Sequence, residues 1–459
     1  MSATSRNWST PAKKVADQAA FPLRTPEKRP LTVRLLGGLV LCISTLYSGP
    51  KLRTGNGRGR EGGGLYPELA VLGFSEGSSP ALVSRVARQT ALLPSYEVAR
   101  AELEADGVKL DIKQVHRISQ RLGAEMLTRR VRDLERYRAG ELPAGDELRG
   151  KKIGVAIDGG RVRIRTQIRK QKGKGKDKKR RRKFRTEWRE PKLLIIFECD
   201  KRGRMKRGTR PWIDGTFQGP NECMELLAMH LHRLGAAGAE LVMFLADGAP
   251  WIWDRLAWVE QRVGLQANQV VQVLDFCHAV HQMSLALEQL QLPKEERQRL
   301  YRELRKKLKA GQALQVTGEL SRRAEGQAAD APVWTCICYL EKHAANEHLN
   351  YRDYRRRGVP MGSGAIESAI RRVVNLRMKG NGIIWYEENS EGMLALRAAA
   401  LSGRWQETLE EVQATMARDR RVRWKWKSVD MPEQLKAQLE IKPPVLQPQA
   451  AKGTCEAAA

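Results

Sequence analysis

The chain has 459 residues, which is enough for two or three domains with sizeable cores. It carries 82 Lys and Arg against 52 Asp and Glu, a net charge of +30, which favours a polyanionic partner and above all nucleic acid; a basic ribosomal or membrane-surface protein is the alternative class. Seven cysteines without a CxxC pair argue against a disulfide framework and indicate a reducing, cytoplasmic compartment.

Residues 1–64 are predicted to form a flexible arm that contains one β-hairpin. The apolar stretch 31–45 lies too far into the chain for an ordinary signal peptide, and Arg34 and two glycines interrupt it. Gly37 and Gly38 suit the tight turn of a hairpin between two β-rich runs. No membrane-spanning segment and no membrane partner are therefore predicted.

Residues 65–149 are predicted to form a helical DNA-binding region. Apolar residues recur at helical spacing from 78 to 138, and a turn containing Gly107 separates two of the helices. The helix after that turn carries Lys113, Arg117 and Arg121 on nearly one face, as in the reading helix of a helix-turn-helix. An ordinary helical bundle with a solvated basic face is the alternative.

Strands alternate with helices over residues 150–280, which predicts an α/β domain with a partly parallel sheet. The run "GVAIDGG" (154–160) is an apolar strand ending on Asp158, and "LVMFLADG" ends on Asp247 in the same way. A third strand ends on Asp275. Between the first strands, residues 169–185 carry twelve basic side chains and one acid, predicting a disordered loop that lies along phosphates; a nuclear-localisation patch would look similar.

The remaining segments are predicted as a helical insertion, a second part of the catalytic core and a tail. Residues 281–355 are helical and heavily charged. Residues 356–418 contain "MGSGAIESAIRR", in which Glu367 lies near the start of a helix. Residues 419–459 are rich in Pro and Ala and form the predicted C-terminal tail.

Asp158, Asp247 and Glu367 are the candidate metal ligands. Ligands of α/β sheets bind at the carboxyl ends of the strands, where two converging carboxylates repel each other unless a metal ion or a proton is present. Oxygen ligands suit Mg²⁺ or Mn²⁺, and two ions about 4 Å apart activate a nucleophile and stabilise a leaving oxygen in phosphodiester displacement. Taken singly, each Asp is also typical of a turn and Glu367 of a capping box.

The stretches "AIDGGRVRIR", "EWREPKLLIIF", "FLADGAPWIWD", "LDFCHAVHQ" and "GSGAIESAIRRVVNLRMKGNGIIW" together resemble the DDE transposases of bacterial insertion sequences, closest to the ISKra group and its Mutator-like relatives. The resemblance covers roughly residues 150–405. It implies a ribonuclease H-like catalytic domain, with Asp158, Asp247 and Glu367 as the triad that holds two Mg²⁺ or Mn²⁺ ions. It also implies that 281–355 is an insertion and that Asp275 and His278 support the metal ligands or handle DNA.

The same resemblance implies a DNA transposase, expected in the bacterial cytoplasm at the nucleoid and as a homo-oligomer on DNA. The alternatives are a related nuclease that cuts DNA without joining it, and a domesticated DNA-binding protein that has lost catalysis.

Four basic residues follow Glu367 and are predicted to clamp phosphates beside the metals, with a solvated basic face as the alternative: Arg371, Arg372, Arg377 and Lys379. Asp275, His278 and His281 could instead form a zinc site, although further nitrogen or sulfur ligands are lacking. Trp251 and Trp253 could stack on unpaired bases, with at least one expected in the core. Cys336 and Cys338 are predicted to be buried thiols.

Overall fold

An antiparallel hairpin opens the described part of the chain. The computed structural model describes residues 26–49, 64–167 and 184–420. Strand β1 (Glu27–Arg34) pairs with β2 (Val40–Tyr47), and the turn between them contains Gly37 and Gly38, both at φ of 81°. The predicted hairpin is confirmed and is longer than expected. Nearly all of the basic run 169–185, the rest of the N-terminal arm and the tail after 420 lie outside the described residues.

Four helices follow the hairpin, and three of them lie within the stretch 78–138, where the apolar spacing predicts helices. Ser79 and Asp111 cap two of them, accepting hydrogen bonds from the backbone N–H groups of Leu82 and Gln114. The helices are α1 (Pro67–Val71), α2 (Pro80–Leu92), α3 (Tyr96–Ala105) and α4 (Ile112–Arg138).

The centre of the molecule is a five-stranded mixed sheet with the order β7-β6-β3-β8-β9. β3 pairs antiparallel with β6 and parallel with β8, so the chain's first apolar strand occupies the middle. A second, separate sheet has three strands in the order β10-β4-β5. The strands are β3 (Lys152–Gly159), β4 (Val162–Gln167), β5 (Phe184–Arg189), β6 (Lys192–Glu198), β7 (Trp212–Thr216), β8 (Leu241–Ala246), β9 (Val270–Leu274) and β10 (Trp385–Tyr386).

Strand β7 was not expected, because residues 201–221 are predominantly polar. It forms since Ile213 and Gly215 pack inward while β6 supplies its hydrogen-bonding partner. The later helices are α5 (Pro220–Leu234), α6 (Pro250–Val263), α7 (Phe276–Gln289), α8 (Lys294–Lys309), α9 (Ala313–Ala324), α10 (Pro332–Ala345), α11 (Tyr351–Arg357), α12 (Gly364–Ile370), α13 (Leu376–Met378), α14 (Glu387–Leu401) and α15 (Trp405–Arg420).

Both faces of the central sheet are buried, which explains why its inner strands are continuous apolar runs rather than alternating ones. On β3, Ile153, Val155 and Ile157 pack against α5 and α6. Ala156 points to the opposite face, where the helices α7 to α12 supply the core. Asp158 follows Ala156 by two residues and therefore belongs to that second face.

The N-terminal helices share a core with the C-terminal ones. Residues of α2 and α4 pack with Leu396, Trp405 and Val412 of α14 and α15. Helices α4 and α14 cross so closely that a Cβ atom on Gly123 would lie 3.1 Å from the backbone of Gly392. The region 65–149 is thus covered on its apolar side by residues from the far end of the chain.

A buried ion cluster also attaches α4 to the sheet. Arg130 donates hydrogen bonds to the carboxylates of Asp214 and Glu391 and, at 2.8 Å, to the carbonyl oxygen of Gly215. Burial alone would raise the pKa of Asp214, but the charge of Arg130 and a 2.8 Å hydrogen bond with His230 lower it to about 2. Asp214 is therefore ionised and paired at neutral pH.

Candidate functional site

Asp158 and Asp247 come together at one edge of the central sheet. Ala156 of β3 is the parallel partner of Leu245 of β8. Two residues further along each strand, Asp158 and Asp247 therefore stand beside each other on the same face. Both side chains are partly buried, and each is held by a local hydrogen bond: Oδ1 of Asp158 accepts from the N–H of Gly159 at 2.6 Å, and Oδ1 of Asp247 from that of Ala249 at 3.0 Å.

The electrostatics of Asp158 reflect this pairing. Its pKa is raised to about 6, chiefly because it is withdrawn from solvent and further because the carboxylates of Asp247 and Glu190 lie nearby. The hydrogen bond from Gly159 and the charge of His278 act in the opposite direction. A nearby proton or cation would stabilise a carboxyl group in this environment.

Another side chain occupies the space beside the glycine that follows each of these two acids. A Cβ atom at Gly159 would lie 2.0 Å from Oε1 of Glu190. A Cβ atom at Gly248 would lie 1.7 Å from the hydroxyl oxygen of Tyr339. At the two Asp-Gly motifs, the backbone is thus approached closely by the carboxylate of Glu190, just before β6, and by the hydroxyl of Tyr339 from the insertion.

Asp275 connects the Asp247 strand end to the helix of Glu367. It is only 3% exposed, and its backbone N–H donates to the carbonyl oxygen of Ala246 at 2.9 Å. Its Oδ1 accepts from the N–H of His278 at 3.0 Å, capping α7. Its Oδ2 accepts from the N–H of Ser363 at 2.6 Å and from its hydroxyl at 3.0 Å. Both oxygens are therefore occupied within the protein, and Asp275 acts by positioning its neighbours.

Glu367 lies on the same side of the sheet as the aspartate pair but stays exposed. Its helix, α12, packs on β3 and β6 through Ile366, Ala369 and Ile370, which belong to the core of that face. Burial raises the pKa of Cys277, and the carboxylates of Asp275 and Glu367 raise it further, which shows that Glu367 lies near the start of α7. Within the described ranges, no three His, Cys, Asp or Glu side chains are grouped closely enough to hold a metal ion.

The four basic residues after Glu367 divide into two sets. Arg371 and Lys379 are exposed and Arg372 is partly so, in places where phosphate could reach them. Arg377 is 5% exposed and lies between the rings of Trp385 and Tyr96, at 5.1 and 5.3 Å from their centroids. The guanidinium of Arg377 is therefore interior, which corrects its predicted contact with DNA in this conformation. Arg377 follows the buried residues Ile366, Ile370 and Val373 at helical spacing, and a π-helical turn at Arg371–Asn375 lies just before it.

A second buried guanidinium stabilises that π-helical turn. Arg397 of α14 donates to the backbone carbonyl oxygens of Arg372 and Val373 and to that of Ala91 at the end of α2. Burial lowers its pKa to about 9, and the charge of Arg377 contributes. One side chain thus joins the N-terminal helices, the segment after Glu367 and α14.

An aromatic cluster behind Asp247 attaches the helical insertion to the site. The indole N–H of Trp253 donates to the carbonyl oxygen of Asp247 at 2.6 Å, and its ring stacks on His348 at 4.3 Å. His348 contacts His343 through their Nδ1 atoms at 2.9 Å. Burial lowers the pKa values of His343 and His348 to about 4 and about 3, so both rings are neutral at pH 7. Trp253 is therefore a packing residue, as expected of at least one tryptophan of this pair.

Most of the other predicted residues lie on the surface. Lys113, Arg117 and Arg121 are exposed on one face of α4, where Arg117 pairs with Glu76 at 3.7 Å and Arg121 with Glu125 at 3.0 Å. His278 and His281 are both exposed on α7, and they form no three-ligand zinc group with Asp275 in the described chain. Of the two cysteines predicted to be buried, Cys336 is buried and Cys338 is exposed.

Sequence reasoning missed Glu190 and the Tyr339–His343–His348 group. The only available signal for Glu190 was an acid directly before Pro191, and its place beside Asp158 depends on the pairing of Gly159 with Lys192.

No helix in the described ranges is both long and apolar enough to span a bilayer. No protein-family model, characterised protein or solved structure matches this chain.

Proposed function

We propose that this protein is a DNA transposase of the DDE type, a metal-dependent enzyme that cuts at transposon ends and joins the resulting 3′ hydroxyl to target DNA. The observation that carries the proposal is the pair Asp158 and Asp247, side by side at the ends of adjacent parallel strands, with the pKa of Asp158 raised to about 6. A net charge of +30 supplies the attraction for a polyanionic substrate. The mixed sheet with helices on both faces is compatible with the ribonuclease H-like fold that the motifs imply.

Asp158 and Asp247 would hold Mg²⁺ or Mn²⁺, and Glu367 would complete a two-ion site from the adjoining helix. When bound, such ions generate a nucleophile and stabilise the leaving oxygen of the phosphodiester. Asp275 fixes the strand end that carries Asp247 and the loop that begins the helix of Glu367, since it bonds to both. Glu367 is exposed near the start of the seven-residue helix α12, and it would have to approach the aspartate pair for the three-carboxylate site to form.

Partners and compartment follow from the same proposal. Two transposon ends have to be brought together, so we expect a homo-oligomer on DNA, within the bacterial cytoplasm at the nucleoid. Arg371, Arg372 and Lys379 would contact phosphates beside the acids, and Lys113, Arg117 and Arg121 would read the transposon end.

The test is cleavage and strand transfer on a DNA end taken from inverted repeats that flank the gene. Asp158→Asn and Asp247→Asn should each abolish both reactions with Mg²⁺ while leaving DNA affinity within about twofold, because each change adds only one unit to a large positive charge. Asp254→Asn is the matched control, since Asp254 is exposed on α6 with only a 3.8 Å contact to Lys342. Its rates should equal those of the wild-type protein.

The products distinguish the alternatives. Cleavage without joined products in the wild-type protein would indicate a nuclease that lacks strand transfer. Binding without either reaction would indicate a non-catalytic DNA-binding protein. Wild-type rates in both aspartate variants would remove the acid pair from the chemistry and overturn the proposal.

A further inference from the structure

The outer face of the small sheet combines exposed aromatic rings with arginine side chains. We call this surface the ribbon face; it consists of Arg163, Arg165, Phe184, Thr186, Trp188 and Tyr386. These residues share one face because cross-strand partners point the same way: Arg163 is opposite Trp188, and Arg165 is opposite both Thr186 and Tyr386. Val162 and Ile164, which alternate with the arginines, are fully buried on the other side.

The aromatic rings of the ribbon face are unusually open to solvent. Trp188 is 56% exposed and Phe184 is 47% exposed. Large aromatic side chains normally bury most of their surface, so exposed ones grouped on a single face indicate a binding surface.

The arginines lie between these rings rather than away from them. The guanidinium of Arg165 stands 3.9 Å from the ring centroid of Tyr386 and 5.5 Å from that of Phe184. Arg163 lies 5.6 Å from the ring of Trp188 and donates at 2.8 Å to the carbonyl oxygen of Gly380. The guanidinium groups are thus held in place beside the rings by cation–π and hydrogen-bonding contacts.

The charge of this surface selects the type of ligand. The residues named on the ribbon face include two arginines and no acid, and Glu187 of β5 points to the opposite side. A ligand with regularly spaced negative charge and flat apolar groups matches this surface, whereas an apolar protein partner would leave the arginines unpaired.

We infer that the ribbon face binds single-stranded DNA, with bases stacking on Trp188 and Phe184 and phosphates contacting Arg163 and Arg165. Duplex DNA keeps its bases stacked on one another, so only unpaired bases present a free ring face to an aromatic side chain. The choice of DNA rests on the proposed function. Strand β4 begins three residues after Gly159 and β5 ends just before Glu190, so the surface starts next to the acid pair. It would hold the strand that separates when a transposon end opens.

The test measures binding to a labelled single-stranded DNA of about sixteen nucleotides and to the matching duplex, by fluorescence anisotropy without divalent metal. Trp188→Ala should weaken single-strand binding at least about fivefold, the lower range for loss of one stacked base, with less than a twofold effect on the duplex. Trp188→Tyr should restore most of the affinity. Trp258→Ala is the matched control, because Trp258 is 44% exposed on α6, away from the ribbon face; it should leave both affinities unchanged.

Other outcomes overturn the inference. These are equal losses for single strand and duplex in Trp188→Ala, the same loss in Trp258→Ala, or tighter binding to an RNA of the same sequence. The measurement needs no cleavage, so it is repeated in Asp158→Asn. If the wild-type protein fails to cut DNA but Trp188→Ala still weakens single-strand binding, the inference about the ribbon face is supported and the proposed transposase chemistry is wrong.

Discussion

Replacing Asp275 should loosen the start of the helix that carries Glu367 far more than loss of a helix cap alone would. Asp275→Ala removes the cap of α7, which is worth about 1 kcal/mol. It also leaves the backbone N–H of Ser363 without its carboxylate acceptor, and Ser363 is only 4% exposed. A buried donor without a partner costs a further 1–3 kcal/mol, of which we take the middle value of about 2 kcal/mol. A difference of about 2 kcal/mol corresponds to a roughly thirtyfold change in a local opening equilibrium.

Hydrogen exchange measured by mass spectrometry gives a local assay, because peptides covering residues 361–370 report this loop directly. Asp111→Ala is the matched control: Asp111 also caps a helix through its N3 backbone N–H, but it is exposed and holds no second segment. We expect exchange in 361–370 to accelerate roughly thirtyfold in Asp275→Ala and not in Asp111→Ala. Unchanged exchange in Asp275→Ala, or equal acceleration in both variants, would refute the reasoning.

Three further predictions concern charge and packing. Asp158 has a folded pKa of about 6 against 3.8 in an unfolded chain, so its ionised form opposes folding above pH 6. After allowance for its partial exposure, Asp158→Asn should therefore stabilise the metal-free protein by about 1–2 kcal/mol at pH 7. Calorimetry should find that this gain in stability is lost below about pH 4. Arg397→Met should lower the free energy of unfolding by at least about 3 kcal/mol, because three carbonyl oxygens lose their donor. Arg377→Met should change it by less than about 1 kcal/mol, since Nε and Nη2 of Arg377 have no acceptor in the described chain. Equal effects of the two variants in thermal unfolding would contradict this prediction. A fragment of residues 65–149 should fail to fold unless 387–412 is supplied as a second peptide, as judged by circular dichroism; cooperative unfolding of the fragment alone would show that the shared core is dispensable.

The apolar strands and the acid pair could be predicted because their signals are local. An apolar run that ends on Asp and Gly identifies both a buried strand and a carboxylate at its end, and the parallel arrangement of β3 and β8 then brings Asp158 and Asp247 together. Such an argument needs only chain order and the geometry of a parallel sheet.

The remaining features depend on long-range packing or on a break in periodicity. The place of Glu190 beside Asp158 follows from the register of β6, which no local pattern encodes. Arg377 was expected to contact phosphates because it belongs to the basic cluster after Glu367, but its guanidinium is buried between the rings of Tyr96 and Trp385. β7 lacks an apolar run and exists because β6 offers it a partner. Pairing across distant segments is the information that a single sequence states least directly.

The close crossing of α4 with α14 has a consequence for the order of events during synthesis. Helix α4 leaves the ribosome early, but the residues that cover its apolar side, such as Leu396, come about 270 positions later. At typical elongation rates the uncovered face of α4 waits roughly 15–50 s for its partner. Throughout that interval the nascent chain lacks the C-terminal part of the cluster that buries Ile118, Leu122 and Met126 in the finished protein. A chaperone that holds apolar helices during translation should therefore bind this chain early and release it only when α14 has emerged.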